Sequence, residues 1–147
     1  MIAVIQRCSR GKVMVSEKVV GEIDNGLVIL LGVQKGDTEK DANFLVNKIS
    51  GLRIFSDEND KMNLSIKDVN GSALVISQFT LCGDTKKGRR PSFIKAATPD
   101  DGNRLYEYFM SEMKKSGVPI ESGEFGAMMD VELVNNGPVT FVLNSKD

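Results

Sequence analysis

The chain has 147 residues, with no histidine and no tryptophan, and a formal charge of −1 from 19 bases and 20 acids. Without imidazole there is no Ser-His-Asp or Cys-His nucleophile pair and no His-containing zinc site. A near-neutral balance argues against broad, non-specific nucleic-acid binding but allows a local basic patch.

The length suits one domain over residues 1–147. Cys8 and Cys82 lack metal-ligand spacing. Two isolated thiols and no recognisable signal peptide predict a reducing, cytoplasmic setting, with both thiols buried as small hydrophobes. The apolar run 27–33 is only strand length, so no membrane span is expected.

Residues 1–8 alternate weakly and read as a strand. Residues 12–16 and 19–23 flank a short turn, and Asp24-Asn25-Gly26 makes a second turn before the buried strand 27–33. Thr38 can cap a first helix, with Asp41 in the reciprocal third position. Ala42, Leu45, Val46 and Ile49 form its apolar face, and Gly51 suits a left-handed stop. Residues 52–55 and 74–76 read as strands. Thr98 caps a second helix with Pro99 at its first position and Asp100 and Asp101 at its positive end. Leu105, Tyr108, Phe109 and Met113 form its apolar face, and Gly117 and Pro119 end it. Strands over 118–121, 129–134 and 139–143 follow, the last two joined through Asn135-Asn136-Gly137-Pro138. This order predicts one mixed α/β domain, its two main helices packed on a largely antiparallel or mixed sheet.

Several segments could carry chemistry. Ser77-Gln78-Phe79-Thr80-Leu81 follows a buried strand, where a rigid scaffold can present side chains and amides; the alternative is a polar strand end. Ser77 and Thr80 are possible nucleophiles, but no histidine can activate them. In Asn135-Asn136-Gly137-Pro138, glycine before proline permits close backbone approach, or makes a plain turn. Lys86, Lys87, Arg89 and Arg90 fall within five residues, against eight acids and three bases over 98–132. That loop suits phosphate contact, or is simply solvated; Phe93 beyond it could stack on a base or plug the core, and the core is the expected place. Gly123-Glu124-Phe125-Gly126 could frame a base-stacking platform or a bulged strand entrance. Asp57, Glu58 and Asp60 read as turn-capping acids, since the spacing is not that of a calcium loop.

Together and in this order, these segments resemble the D-aminoacyl-tRNA deacylase family. The resemblance rests on Gln6-Arg7, Gly32-Val33 with Lys35-Gly36-Asp37-Thr38, Lys61-Met62-Asn63-Leu64-Ser65, and Ser77-Gln78-Phe79-Thr80-Leu81. It continues through Lys87-Gly88-Arg89-Arg90-Pro91-Ser92-Phe93, Gly123-Glu124-Phe125-Gly126-Ala127 and Asn135-Asn136-Gly137-Pro138-Val139-Thr140. It spans essentially the whole chain. Phe79 and the Val139-Thr140 continuation are similar to the D-specific group rather than to the animal-type relatives. Asn136 stands where members usually carry an acid, and Cys8 where a branched aliphatic is usual.

The resemblance implies a homodimer with two active sites at its interface, acting on tRNA charged with D-amino acids or mischarged with glycine, with no cofactor and no metal. Ser77, Gln78, Phe79 and Thr80 would form the catalytic wall. Gly137 and Pro138, joined by a cis bond and steadied by Arg7, would cross from the partner and reject L-amino acids. Phe125 would lie beside the terminal adenine, and Lys87, Arg89 and Arg90 would meet the acceptor stem. The implied reaction is hydrolysis of the aminoacyl ester. Either the ribose 2′-hydroxyl assists the attack of water, or Thr80 attacks; the absence of imidazole favours the first. A Thr80-dependent small-molecule esterase and a non-catalytic module binding RNA ends are the alternatives.

Overall fold

The computed structural model describes residues 1–147. Strand β1 (Ile2–Val15) forms a hairpin with β2 (Lys18–Ile23), and β3 (Gly26–Gly32) returns beside the first half of β1. Then come helix α1 (Glu39–Gly51), the short pair β4 (Phe55–Ser56) and β5 (Met62–Leu64), and β6 (Ser72–Ser77). A 3₁₀ turn (Phe79–Cys82), helix α2 (Pro99–Lys115), β7 (Ile120–Ser122) and β8 (Asp130–Asn144) complete the chain. The main sheet runs β2-β1-β3-β6-β7, with β8 on the outer edge of β1. Strands β3, β6 and β7 are parallel and the other pairings antiparallel, which is the mixed sheet the element order predicts.

β3 is apolar on both faces because both faces are covered. Leu27, Ile29 and Leu31 pack with Leu45, Ile49, Leu105 and Phe109 of the two helices. Val28 points the other way, into a smaller cluster with Cys8, Val13, Ile23, Leu74 and Ile76. The second half of β1 therefore curls over the back of β3. Gly11 marks the contact: a Cβ there would lie 2.8 Å from Val28 Cγ2. The expected strands 1–8 and 12–16 are thus one bent strand. Cys8 is fully buried at the bend, and burial pushes its thiol up to about 11, as suits a small hydrophobe.

The expected strands 129–134 and 139–143 are also one strand. Asn135 pairs with Cys8 and Thr140 with Gln6, so residues 136–139 stand opposite Arg7 alone. The Asn-Asn-Gly-Pro segment is a bulge within β8, not a reversing turn.

Both helices start as their caps predict. Thr38 Oγ1 accepts from the Lys40 amide, and the Thr38 amide donates to Asp41 at 2.8 Å. Thr98 Oγ1 accepts from the Asp101 amide. The ends differ in detail. Gly51 is the last helical residue of α1, and the chain leaves through an extended Leu52 (φ −60°, ψ 131°), so no left-handed stop is used. The expected strand 52–55 is reduced to β4. On α2, Tyr106 rather than Tyr108 is buried, because its hydroxyl donates to the Val75 carbonyl at 2.9 Å. Burial pushes that hydroxyl up to about 12.

The start of α1 anchors both chain ends. The Met1 α-ammonium pairs with Asp37 at 2.9 Å, both fully buried. Burial alone would raise the Asp41 pKa. Hydrogen bonds from Ser145 (2.7 Å) and the Thr38 amide, and the Lys146 ion pair (2.9 Å), outweigh it and hold the carboxyl well below the usual range. A carboxylate depressed on folding stabilises above its unfolded pKa of about 4 and loses that contribution as pH falls through its folded value. Asp41→Asn should therefore lower the melting temperature near neutral pH and flatten its fall below about pH 5. An unchanged acid slope in thermal melts would contradict the assignment.

Candidate active site

The parallel strands β3, β6 and β7 end on one side of the sheet, and the loops beyond them gather there. Ser77 closes β6 and is half-buried, paired with Leu31. The Gln78 amide then donates to the Leu31 carbonyl at 2.8 Å, which turns the chain out of the sheet. The 3₁₀ turn that follows presents Phe79, 57% exposed, and Thr80 to solvent. Its first internal bond runs from the Leu81 amide to the Gln78 carbonyl (3.2 Å). The Phe79 and Thr80 amides precede that bond, so the turn itself offers them no acceptor. Thr80 Oγ1 accepts from Gln78 Nε2.

Phe125 stands at the same sheet end, two residues after Gly123, whose amide donates to the Val75 carbonyl. It is half-buried, its ring tilted 42° against that of Tyr106 with centroids 5.9 Å apart, its edge over Gly102. The 86–90 loop is exposed, and none of Lys86, Lys87, Arg89 and Arg90 forms an ion pair. Phe93 is not a core residue. It is 37% exposed and meets Phe79 edge-on at 5.1 Å.

The β8 bulge is an exposed prong on a buried brace. Arg7, 9% exposed, lies beneath it. Its Nε donates to the Asn136 carbonyl at 2.9 Å and its Nη1 to the Ile54 carbonyl at 2.8 Å. Asn135 closes the bulge from within: Oδ1 accepts from the Val139 amide (2.7 Å), and Nδ2 donates to Thr140 Oγ1 (2.9 Å). Sequence reasoning missed this role of Asn135; the available signal was the habit of Asn side chains to bond backbone just ahead. Gly137 and Pro138 are exposed at the tip, and their peptide bond is cis.

Within one chain the prong and the 77–80 wall do not meet. Arg7, beside the prong, pairs with Leu27, whereas Ser77 pairs with Leu31. Four residues along the strands and three strand spacings across them separate the two by roughly 19 Å.

Asp57 accepts from the Asn59 and Lys61 amides and caps its own turn. No group of three or more His, Cys, Asp or Glu side chains is arranged to hold a metal. No helix is long and apolar enough to cross a membrane.

The family profile described as D-Tyr-tRNA(Tyr) deacylase matches residues 4–144. The chain belongs to that family. Membership makes it an enzyme, of a hydrolase type. Relatives described as D-aminoacyl-tRNA deacylases agree along the whole deacylase chain. That of Thermotoga petrophila is 56% identical, covering 99% of this chain and 97% of its own. That of Bacillus cereus strain G9842 is 53% identical, covering 99% and 100%. A solved structure described as a c-Myc DNA unwinding element binding protein superposes with a TM-score of 0.93 at 37% identity, covering 98% of each chain. Another, a probable eukaryotic D-amino acid tRNA deacylase, gives 0.83 at 17% identity over 97% and 98%, and so shares the fold.

Proposed function

We propose that this chain hydrolyses the ester of D-aminoacyl-tRNA, and of mischarged glycyl-tRNA, as a cytoplasmic homodimer. Each of two sites combines residues 77–80 of one protomer with the Gly137-Pro138 prong of the other. The observation that carries the reading is the separation, inside one chain, of two exposed and braced motifs at opposite ends of the sheet. A two-fold operator that brings one such pair together brings the second pair together as well. β8 supports it, as a 15-residue edge strand with Val131, Val134, Phe141 and Val142 exposed along it. A long apolar edge calls for a cover, and a second copy supplies one.

In this site the ester carbonyl lies against the Phe79 and Thr80 amides. Water adds to that carbonyl, the amides stabilise the oxyanion, and the carbon–oxygen bond to the ribose breaks. The departing 3′-oxygen takes up a proton, leaving a free amino acid and tRNA. The adjacent 2′-hydroxyl shuttles that proton. The Gly137 carbonyl occupies the space an L side chain needs, a D side chain points to solvent, and glycine passes. This filter works by exclusion, so it accepts many D-amino acids. Phe125 lies beside the terminal adenine, and Lys87, Arg89 and Arg90 meet the acceptor-stem backbone.

The test follows free tyrosine released from D-Tyr-tRNA and L-Tyr-tRNA. Release from the D form alone is expected. Binding without release would favour an RNA-end-binding module, and turnover of simple amino-acid esters without tRNA would favour an esterase. Neutralising Arg89 and Arg90 together should raise KM for several D-aminoacyl-tRNAs alike. The slope of log(kcat/KM) against log salt should flatten by about 1–2. An unchanged slope removes the loop from the RNA footprint.

A further inference from the structure

Phe93 belongs to neither the core nor the exposed tip of the basic loop. The loop has a closed neck: Asp84 and Ser92 exchange both backbone hydrogen bonds, at 2.7 and 2.9 Å. The Asp84 carboxylate accepts from the Lys86 amide at 2.9 Å and pairs with Lys95 at 3.6 Å. The amide bond first, and Lys95 with it, lowers the pKa of that carboxyl. Phe93 is the residue just after this neck. On its other side the Ala96 amide donates to the Phe93 carbonyl at 3.0 Å, so its backbone is held from both directions.

The Phe93 ring reaches both ends of the turn that carries the catalytic amides. It meets the Phe79 ring edge-on at 5.1 Å, with planes 65° apart. It also fills the space beside Gly83, where a Cβ would lie 3.0 Å from Phe93 Cε1. The Gly83 amide closes the same turn by donating to the Thr80 carbonyl at 3.0 Å. A mostly exposed Phe79 with two rotatable side-chain bonds thus has one aromatic neighbour, attached to the neck of the RNA-facing loop.

We propose that Phe93 is a positioning residue that couples the 86–90 loop to the 77–80 wall. When RNA backbone engages Arg89 and Arg90, the closed neck holds Phe93, and Phe93 holds Phe79 and the start of the turn in the reactive arrangement. The inference rests on the deacylase reading. It adds that the loop acts on the chemical step as well as on binding.

The experiment measures kcat and KM on D-Tyr-tRNA for the wild type, Phe93→Leu and Phe93→Tyr, each with and without neutral Arg89 and Arg90. Leucine keeps the apolar cover over Gly83 and removes the edge-on ring pair; tyrosine keeps the ring. Phe93→Leu should lower kcat by about 2–10-fold with KM little changed, and Phe93→Tyr should restore it. Neutralising the two arginines should lower kcat as well as raise KM in the wild type, and raise KM alone beside Phe93→Leu. An unchanged kcat in Phe93→Leu, an equal loss in Phe93→Tyr, or the same kcat response to the arginines in both backgrounds overturns the proposal. Absence of turnover by the wild type overturns the deacylase reading and this proposal with it; wild-type turnover with no Phe93 effect overturns this proposal alone.

Discussion

Deacylation of D-Tyr-tRNA is expected to fall by about 10²–10⁴-fold when the terminal ribose lacks its 2′-hydroxyl, whereas Thr80→Ala keeps most of the rate. The asymmetry follows from what surrounds Thr80. A hydroxyl nucleophile needs a base within hydrogen-bond reach. The chain contains no histidine, and the neighbour of Thr80 Oγ1 is Gln78 Nε2. An amide nitrogen donates protons and cannot take one. Without activation, Thr80 is expected to act through its backbone amide, which truncation to alanine leaves in place. Phe79→Pro attacks the backbone contribution directly. It removes an amide donor together with the ring, and loss of one oxyanion donor typically costs about 10²–10³ in rate. An acyl adduct on Thr80 seen by mass spectrometry, or an inactive Thr80→Ala protein that still folds, would reverse the ranking.

The second large effect is expected at Gly137. Its φ of +138° is a conformation that L side chains rarely adopt. A Cβ there would stand 2.6 Å from Val139 Cγ2 and 3.1 Å from Arg7 Nη2. Neither neighbour is free to retreat. Val139 is buried, with its amide tied to Asn135, and Arg7 is held by two carbonyls. Gly137→Val should therefore displace the prong tip while leaving both sheet pairings of β8 in place. Strain of about 1–3 kcal/mol corresponds to roughly 5–150-fold in a rate that depends on the tip. Discrimination between D-Tyr-tRNA and L-Tyr-tRNA should fall with it, because displacement vacates the space an L side chain needs.

Local chemistry made some elements legible and left others hidden. The start of α1 could be read from Thr38 and Asp41, and that of α2 from Thr98-Pro99, because a cap is decided within four residues. The buried β3 could be read from its apolar run. The continuity of β8 could not, because Asn-Asn-Gly-Pro has the same local preferences in a reversing turn as in a bulge. What decides is Arg7, more than a hundred residues away, whose guanidinium needs the Asn136 carbonyl. The bend in β1 is equally non-local, since Gly11 is required only because Val28 passes beneath it. Tyr106 and Tyr108 both fit near an apolar helix face, and the choice falls to the Val75 carbonyl, which accepts from the Tyr106 hydroxyl as well as from the Gly123 amide. At the site, resemblance to a family pointed to residues 77–80 and to Gly137-Pro138. Their separation within one chain is a property of sheet register, which no local pattern encodes.

A mixing experiment tests the two-protomer site most directly. Phe79→Pro disables the wall, so its homodimer should be nearly inactive; Gly137→Val displaces the prong, so its homodimer should hydrolyse L-Tyr-tRNA as well as D-Tyr-tRNA. Exchanging subunits between them makes mixed dimers in which one site combines the sound wall of one chain with the sound prong of the other. Random re-pairing makes about half the dimers mixed, so about half of the working walls regain a sound prong: L-Tyr-tRNA hydrolysis should fall to about half that of the unexchanged mixture while D-Tyr-tRNA hydrolysis persists. L-Tyr-tRNA hydrolysis equal to that of the unexchanged mixture, after exchange is verified by mass, would contradict the composite site.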